Sequence, residues 1–192
     1  MKTAVFIFGR LNPATIGHEK LLDAAYSIAM ANSADFKVYL SQTHKPPKDP
    51  LTYTQKKEWF KKSFPQYAKN LQNDKSVNNP FQVIEALINA GYQNIIMLCG
   101  SDRVAEYRGI FKIYTTKDKR KVTDKVLYLP DYSVISLDRD PDADDASGMS
   151  ASKLRSFVKD KDFDSFVQGV SRKLSKQDTK KYFNDIYKGM NL

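Results

Sequence analysis

The sequence predicts an α/β protein built on a parallel sheet with helices on both faces, and three observations predict it. Short runs rich in apolar residues, 4–8, 36–40 and 94–99, read as strands buried on both sides rather than as alternating half-exposed ones. Helical periodicity separates them, as in Leu21, Leu22, Ala25, Ile28 and Ala29. Turn-forming residues then close each strand at its C-terminal end: Gly9, the proline-rich stretch 41–50, and Gly100. Strands alternating with helices imply right-handed crossovers and a parallel sheet.

Each element follows in order. After the strand at 4–8, a helix is expected over about 15–31, broken by Asn32 and Ser33, then the strand at 36–40. Residues 41–50 are too rich in turn formers to be regular. A second helix covers about 54–64 and a third 81–89, ending before Gly91. The strand at 94–99 runs into Gly100-Ser101-Asp102 and a helix to about 114. The cation-rich segment 115–125 offers no core face and reads as an exposed excursion. Residues 126–129 and 133–137 are short strand candidates, and helices run from 150 to about 188. The expected organisation is one domain over 1–168 with a small helical appendage, 169–192, packed on it.

A chain of 192 residues with 41% hydrophobic content can bury a sizeable single core. No run approaches the roughly 20 apolar residues that a bilayer span needs. Met1-Lys2-Thr3 leads straight into the first strand without a charged, apolar and cleavage-site series, so a cytoplasmic location is expected. The one cysteine, Cys99, lies in an apolar run and reads as a buried small hydrophobe. With two histidines, His18 and His44, there is no Cys/His metal spacing. The net charge of +9 favours anionic partners, either polyphosphates or nucleic acid; no RNA motif or recognition helix supports the second.

Residues 9–18 read Gly-Arg-Leu-Asn-Pro-Ala-Thr-Ile-Gly-His. Glycine at 9 lets a backbone approach phosphate, and Gly17 with the following helix start offers unpaired N–H groups to an anion. His18 can donate to phosphate oxygens on which charge develops. Far downstream, residues 149–155 read Met-Ser-Ala-Ser-Lys-Leu-Arg. Ser150 and Ser152 bring hydroxyls to a helix start, and Arg155, one turn on, adds a delocalised charge for β- and γ-phosphates.

In that order, the two segments resemble the (H/T)xGH and ISxTxxR-type motifs of the nucleotidylyltransferase superfamily, over about residues 3–158. Members condense a nucleoside triphosphate with a phosphate-bearing acceptor and release pyrophosphate. The resemblance implies a Rossmann-like fold, with His18, Thr15 and Arg155 as catalytic residues. Thr15 stands where histidine is common, as in the TxGH variant of phosphopantetheine adenylyltransferases, and leaves more of the work to His18. The plain alternative is that Thr15 N-caps the helix and His18 packs on it. Lysine- and asparagine-rich chains of this type also resemble orphan nucleotidylyltransferases of large tailed phages.

Further residues follow from the resemblance. Archaeal-type nicotinamide-mononucleotide adenylyltransferases begin with a similar Gly-Arg-Phe-Gln-Pro series, which places Arg10 on substrate phosphate; the alternative is a surface ion pair. Gly9, Gly17, Gly100, Asp102, Arg139, Ser150 and Ser152 join Arg10 as nucleotide-binding candidates, although Asp102 reads equally as an N-cap. Asn12, Ser41, Lys45 and Lys48 are acceptor-side candidates, with plain solvation as the alternative for the lysines. Asp49-Pro50-Leu51-Thr52 departs from the Asn-Pro-Phe-Thr segment of the archaeal-type enzymes, which leaves the acceptor open. The acidic run Asp138–Asp145 lacks the glycine and terminal glutamate of a calcium loop. Magnesium is the expected cofactor, ATP the expected triphosphate ahead of CTP, and nicotinamide mononucleotide the leading acceptor. A cytidylyltransferase for a phosphorylated alcohol or sugar, and a non-catalytic nucleotide- or nucleic-acid-binding protein, are the alternatives.

Overall fold

The computed structural model describes residues 1–115, 127–137 and 148–191. The elements are β1 (Thr3–Gly9), α1 (Ile16–Ala31), β2 (Asp35–Leu40), α2 (Tyr53–Ser63), a 3-10 helix (Pro65–Asn70), α3 (Pro80–Asn89), β3 (Asn94–Gly100), a 3-10 turn (Ser101–Arg103), α4 (Val104–Thr115), β4 (Asp131–Leu137), α5 (Ala151–Lys159), α6 (Phe163–Gly169) and α7 (Lys176–Gly189). The sheet has four strands in the order β2-β1-β3-β4. β3 pairs in parallel with β1 on one side and with β4 on the other. The chain therefore reverses direction across the sheet between β1 and β3, the topological switch of an open Rossmann-like α/β sheet.

Local chemistry accounts for the element ends. Thr52 caps α2 in a reciprocal box with Gln55, and Asn79 caps α3 ahead of Pro80 at its first position. Gly91 adopts φ +86°, a left-handed turn that glycine enters without Cβ strain. The expectation of a strand over 126–129 is corrected. Residues 127–129 are irregular, because the Leu129 N–H is spent on the Tyr114 carbonyl at 2.9 Å, and Pro130 precedes the one strand that does form. The 3-10 helix at Pro65–Asn70 was not apparent from periodicity. The excursion over 115–125, beyond Thr115, and the acidic run from Asp138 to Asp145 lie outside the described residues.

Packing divides the chain into two compact units that interleave in sequence: Met1–Phe8, Asp23–Tyr39 and Gln72–Asp138 form the first, and Gly9–Leu22, Leu40–Leu71 and Arg139–Leu192 the second. The first unit's core joins Ala4, Phe6, Ile95, Met97, Phe111 and Tyr114. Cys99 belongs to it, and burial pushes its thiol up to about 11, so it is an inert packing group. The second unit's core joins Leu51, Trp59, Leu154, Phe166, Tyr182 and Ile186. The helices after residue 169 thus share a core with the segment that carries the second motif, through Leu154 and Met149.

Candidate active site

Within the second unit, two segments more than 130 positions apart meet through hydrogen bonds. The Thr15 hydroxyl donates to the Met149 carbonyl at 3.0 Å, and Arg155 Nη1 donates to the Asn12 carbonyl at 2.8 Å. Arg155 Nη2 donates to Ser152 Oγ at 2.9 Å. One guanidinium therefore spans the start of α5 and the turn after β1, a two-donor geometry that lysine cannot reproduce. Ser150 caps α5 by accepting the Lys153 N–H at 3.1 Å. Lys153 is half-buried rather than fully solvent-facing.

The turn itself is strained where it bends. Leu11 is buried at φ +43°, an uncommon conformation for a branched residue and one that collects at functional sites. A Cβ on Gly9 would lie 2.7 Å from Leu11 Cδ1, so glycine at 9 makes room for that bend. Asn12 is 1% exposed: its Oδ1 accepts the Leu51 N–H at 2.9 Å and its Nδ2 donates to the Leu51 carbonyl at 3.1 Å. Its side chain is thus committed to holding the 41–52 loop.

Thr15 is fully buried and performs the capping that the plain reading describes. Its hydroxyl accepts the His18 N–H at 3.3 Å, and its own N–H donates to His18 Nδ1 at 3.0 Å. With Nδ1 accepting, a neutral ring carries its proton on Nε2. Half-buried at the first turn of α1, His18 is oriented by Thr15 rather than merely packed on it. Gly17 is buried in the same turn.

The 41–52 loop brings in a residue that the sequence reading missed. Lys56, 2% exposed, donates to the Ser41 carbonyl and to Ser41 Oγ at 3.1 Å, while the Ser41 N–H donates to the Gly9 carbonyl at 2.9 Å. Burial pulls the Lys56 ammonium down to about 8, with Asp49 opposing the fall and Arg10 adding to it. Arg155 is lowered by burial and acted on by the same Asp49 and Arg10. Arg10, half-exposed, stands 3.6 Å from the buried Asp49 carboxylate. Arg10, Lys56 and Arg155 thus all feel the field of Asp49, which pairs with Arg10, an excess of positive charge that suits an anion. The available signal was positional: Lys56, Trp59, Phe60 and Ser63 form the buried stripe of α2, and a lysine on such a stripe is out of place unless it has work there.

The remaining candidates are placed as follows. Lys45 and Lys48 are exposed at the loop tip, where the Lys45 and Asp49 backbones pair. A cavity of about 360 Å³ beside the loop is lined by His44, Pro50, Thr52, Gln55, Asp185 and Lys188 among others. Gly100 and Asp102 belong to the first unit, where a Cβ on Gly100 would lie 2.7 Å from Asp102 Oδ1; Gly100 occupies the N-cap position without a side-chain cap. Arg139 lies outside the described residues. Among the described residues, no three His, Cys, Asp or Glu side chains cluster as metal ligands, and no helix is long and apolar enough to cross a membrane.

No protein-family model matches the chain, and no curated protein matches it in sequence. Solved structures do match in fold. A Plasmodium falciparum nicotinic acid mononucleotide adenylyltransferase complexed with APC aligns over 100% of this chain and 97% of its own, with a TM-score of 0.61 at 15% identity. The same enzyme complexed with NaAD aligns with a TM-score of 0.56 over 100% and 97%, at 15% identity. A bifunctional NMN adenylyltransferase/ADP ribose pyrophosphatase from Francisella tularensis aligns over 100% of this chain and 51% of its own, with a TM-score of 0.53 at 14% identity. At such identities the likeness is one of architecture: the chain shares the fold of these adenylyltransferases.

Proposed function

We propose that the protein is a nucleotidylyltransferase that moves a nucleoside monophosphate, AMP ahead of CMP, from a triphosphate to a phosphorylated acceptor such as nicotinamide mononucleotide. The observation that carries this reading is the joining of the two motif segments by Thr15 to Met149 and Arg155 to Asn12. An acceptor phosphate oxygen attacks the α-phosphorus in line; a new P–O bond forms, the α–β bridging bond breaks, and pyrophosphate leaves with the bonding electrons. Such a reaction asks the protein mainly for positioning and charge stabilisation. His18 donates from Nε2 to phosphate oxygens, Arg155 and Arg10 hold the polyphosphate, and Lys56 with Ser41 anchors the acceptor phosphate. A magnesium ion would travel on the triphosphate, held mainly by phosphate oxygens and its waters.

A screen of ATP, CTP, GTP and UTP, with magnesium, against phosphorylated nucleosides, alcohols and sugars tests the proposal through pyrophosphate release. ATP with a mononucleotide acceptor is the expected productive pair. Turnover with CTP and a phosphoalcohol moves the assignment to a cytidylyltransferase. Nucleotide binding without pyrophosphate from any pair overturns catalysis.

A further inference from the structure

We infer that Tyr182, on the C-terminal helix α7, is the positioning residue for the turn that carries Thr15 and His18. Its hydroxyl accepts the Ala14 N–H at 2.8 Å, across 168 positions of sequence. Ala14 is the residue before Thr15, whose own N–H fixes His18 Nδ1. Ala14 is 3% exposed and Tyr182 fully buried, so no solvent stands ready to replace that bond, and an unpaired buried N–H is costly. The tyrosine has little freedom to move. Its ring stacks on Trp59 at 4.4 Å between centroids and 23° between planes, and Trp59 Nε1 donates to Asp185 on the next turn of α7 at 3.0 Å. The same helix is tied to α2 by Lys62 and Asp178 at 2.8 Å. A rigid, aromatic-braced hydroxyl thus fixes the backbone one residue ahead of the group that orients His18, where a sub-ångström shift passes directly into the reacting geometry. This assigns α7 a part in catalysis through the Tyr182 hydroxyl.

The kinetic part of the test rests on the transferase reading above; the exchange part does not. Tyr182→Phe keeps the stack and removes the acceptor, while Ile186→Val loosens the same core, where Ile186 is fully buried. Assayed well below both melting temperatures, Tyr182→Phe is expected to lower kcat roughly tenfold or more and Ile186→Val to leave it within roughly twofold. Equal kcat in the two variants overturns the inference. Amide exchange read in parallel should show Ala14 as protected in the wild-type chain as the core amides of α7, and roughly tenfold faster in Tyr182→Phe with those amides unchanged. An Ala14 amide that exchanges at loop rates in the wild-type chain also overturns it, which decides the matter even if Tyr182→Phe does not fold. If the wild-type chain releases no pyrophosphate, the transferase reading fails, and the Ala14 exchange still settles the positioning.

Discussion

His18 owes its chemistry to its neighbour. Because the Thr15 N–H occupies Nδ1, the ring is held in the tautomer that donates from Nε2, and a threonine incapable of charge still tunes a histidine that is capable of it. His18→Ala should therefore lower turnover by roughly a hundredfold, the scale of one preorganised donor, while thermal unfolding stays close to wild type because the ring is half-buried. Measuring both together checks this; a collapsed melting temperature with full specific activity in the surviving protein would make His18 a packing residue. Lys56 carries the opposite burden. Below pH 8 it is charged in folded and unfolded chains alike, and moving its pKa from 10.5 to about 8 costs the fold about 3 kcal/mol at roughly 1.4 kcal/mol per unit. Between about 8 and 10.5 the unfolded chain binds the extra proton, so that cost fades and this group's contribution to stability rises with pH. Lys56→Met should accordingly raise the melting temperature at pH 7 while weakening acceptor binding, a trade expected where a site is kept strained for function. In the wild-type chain, acceptor affinity should fall as pH climbs through about 8; a flat profile from pH 7 to 9 would remove Lys56 from the phosphate site.

At the scale of elements, α2, α5 and α7 each present one end or stripe to the same set of loops. α2 contributes Lys56 from its buried stripe, and α5 contributes its capped start with Arg155 one turn along. The C-terminal end of α7 comes against the 41–52 loop so closely that a Cβ on Gly189 would lie 2.2 Å from the Pro50 carbonyl oxygen and 2.9 Å from its carbon. Backbone, unlike a side-chain tip, cannot swing aside. Gly189→Ala should displace Pro50 and with it Asp49 and Leu51, raising the acceptor KM several-fold and lowering the melting temperature, as strain in a packed contact does. Triphosphate affinity should change little. Steady-state kinetics varying each substrate separately checks this, and an unaltered acceptor KM would show that the loop absorbs the methyl group without consequence.

For the whole molecule, the question is what a net charge of +9 serves. Arg10 pairs with the buried Asp49, whose field also reaches Lys56 and Arg155, whereas Lys45 and Lys48 stand exposed at a loop tip. If the charge serves small phosphates, Lys45→Ala and Lys48→Ala should raise the acceptor KM modestly and Lys56→Met strongly, and oligonucleotide binding should be weak. If it serves nucleic acid, binding to an oligonucleotide at two salt concentrations should fall steeply, by a slope set by the number of phosphates contacted. Tight, salt-sensitive binding with unchanged acceptor kinetics would reassign the loop.

The fold class was legible because its signals are local. Apolar runs such as 95–99 and the glycines that end them read correctly as strands and strand ends without knowledge of what lies opposite. The strand expected at 126–129 failed for the converse reason: its backbone N–H at Leu129 is claimed by Tyr114, a partner no window around 129 contains. Sequence also named Arg155 and His18 as candidates and offered Thr15 as a capping support, but not that Asn12 would be spent on Leu51. Lys56, in a helix crowded with lysines, stands apart only once the burial of Trp59, Phe60 and Ser63 fixes which face of α2 turns inward. The sequence by itself determined the α/β class and named candidate residues at the strand ends, since both follow from hydrophobic runs and turn chemistry within a few residues. Only the tertiary structure decided which of those residues touch, because the pairs Asn12 with Leu51, Thr15 with Met149 and Ala14 with Tyr182 are 39, 134 and 168 positions apart, and whether such distant groups meet depends on the path of the whole chain.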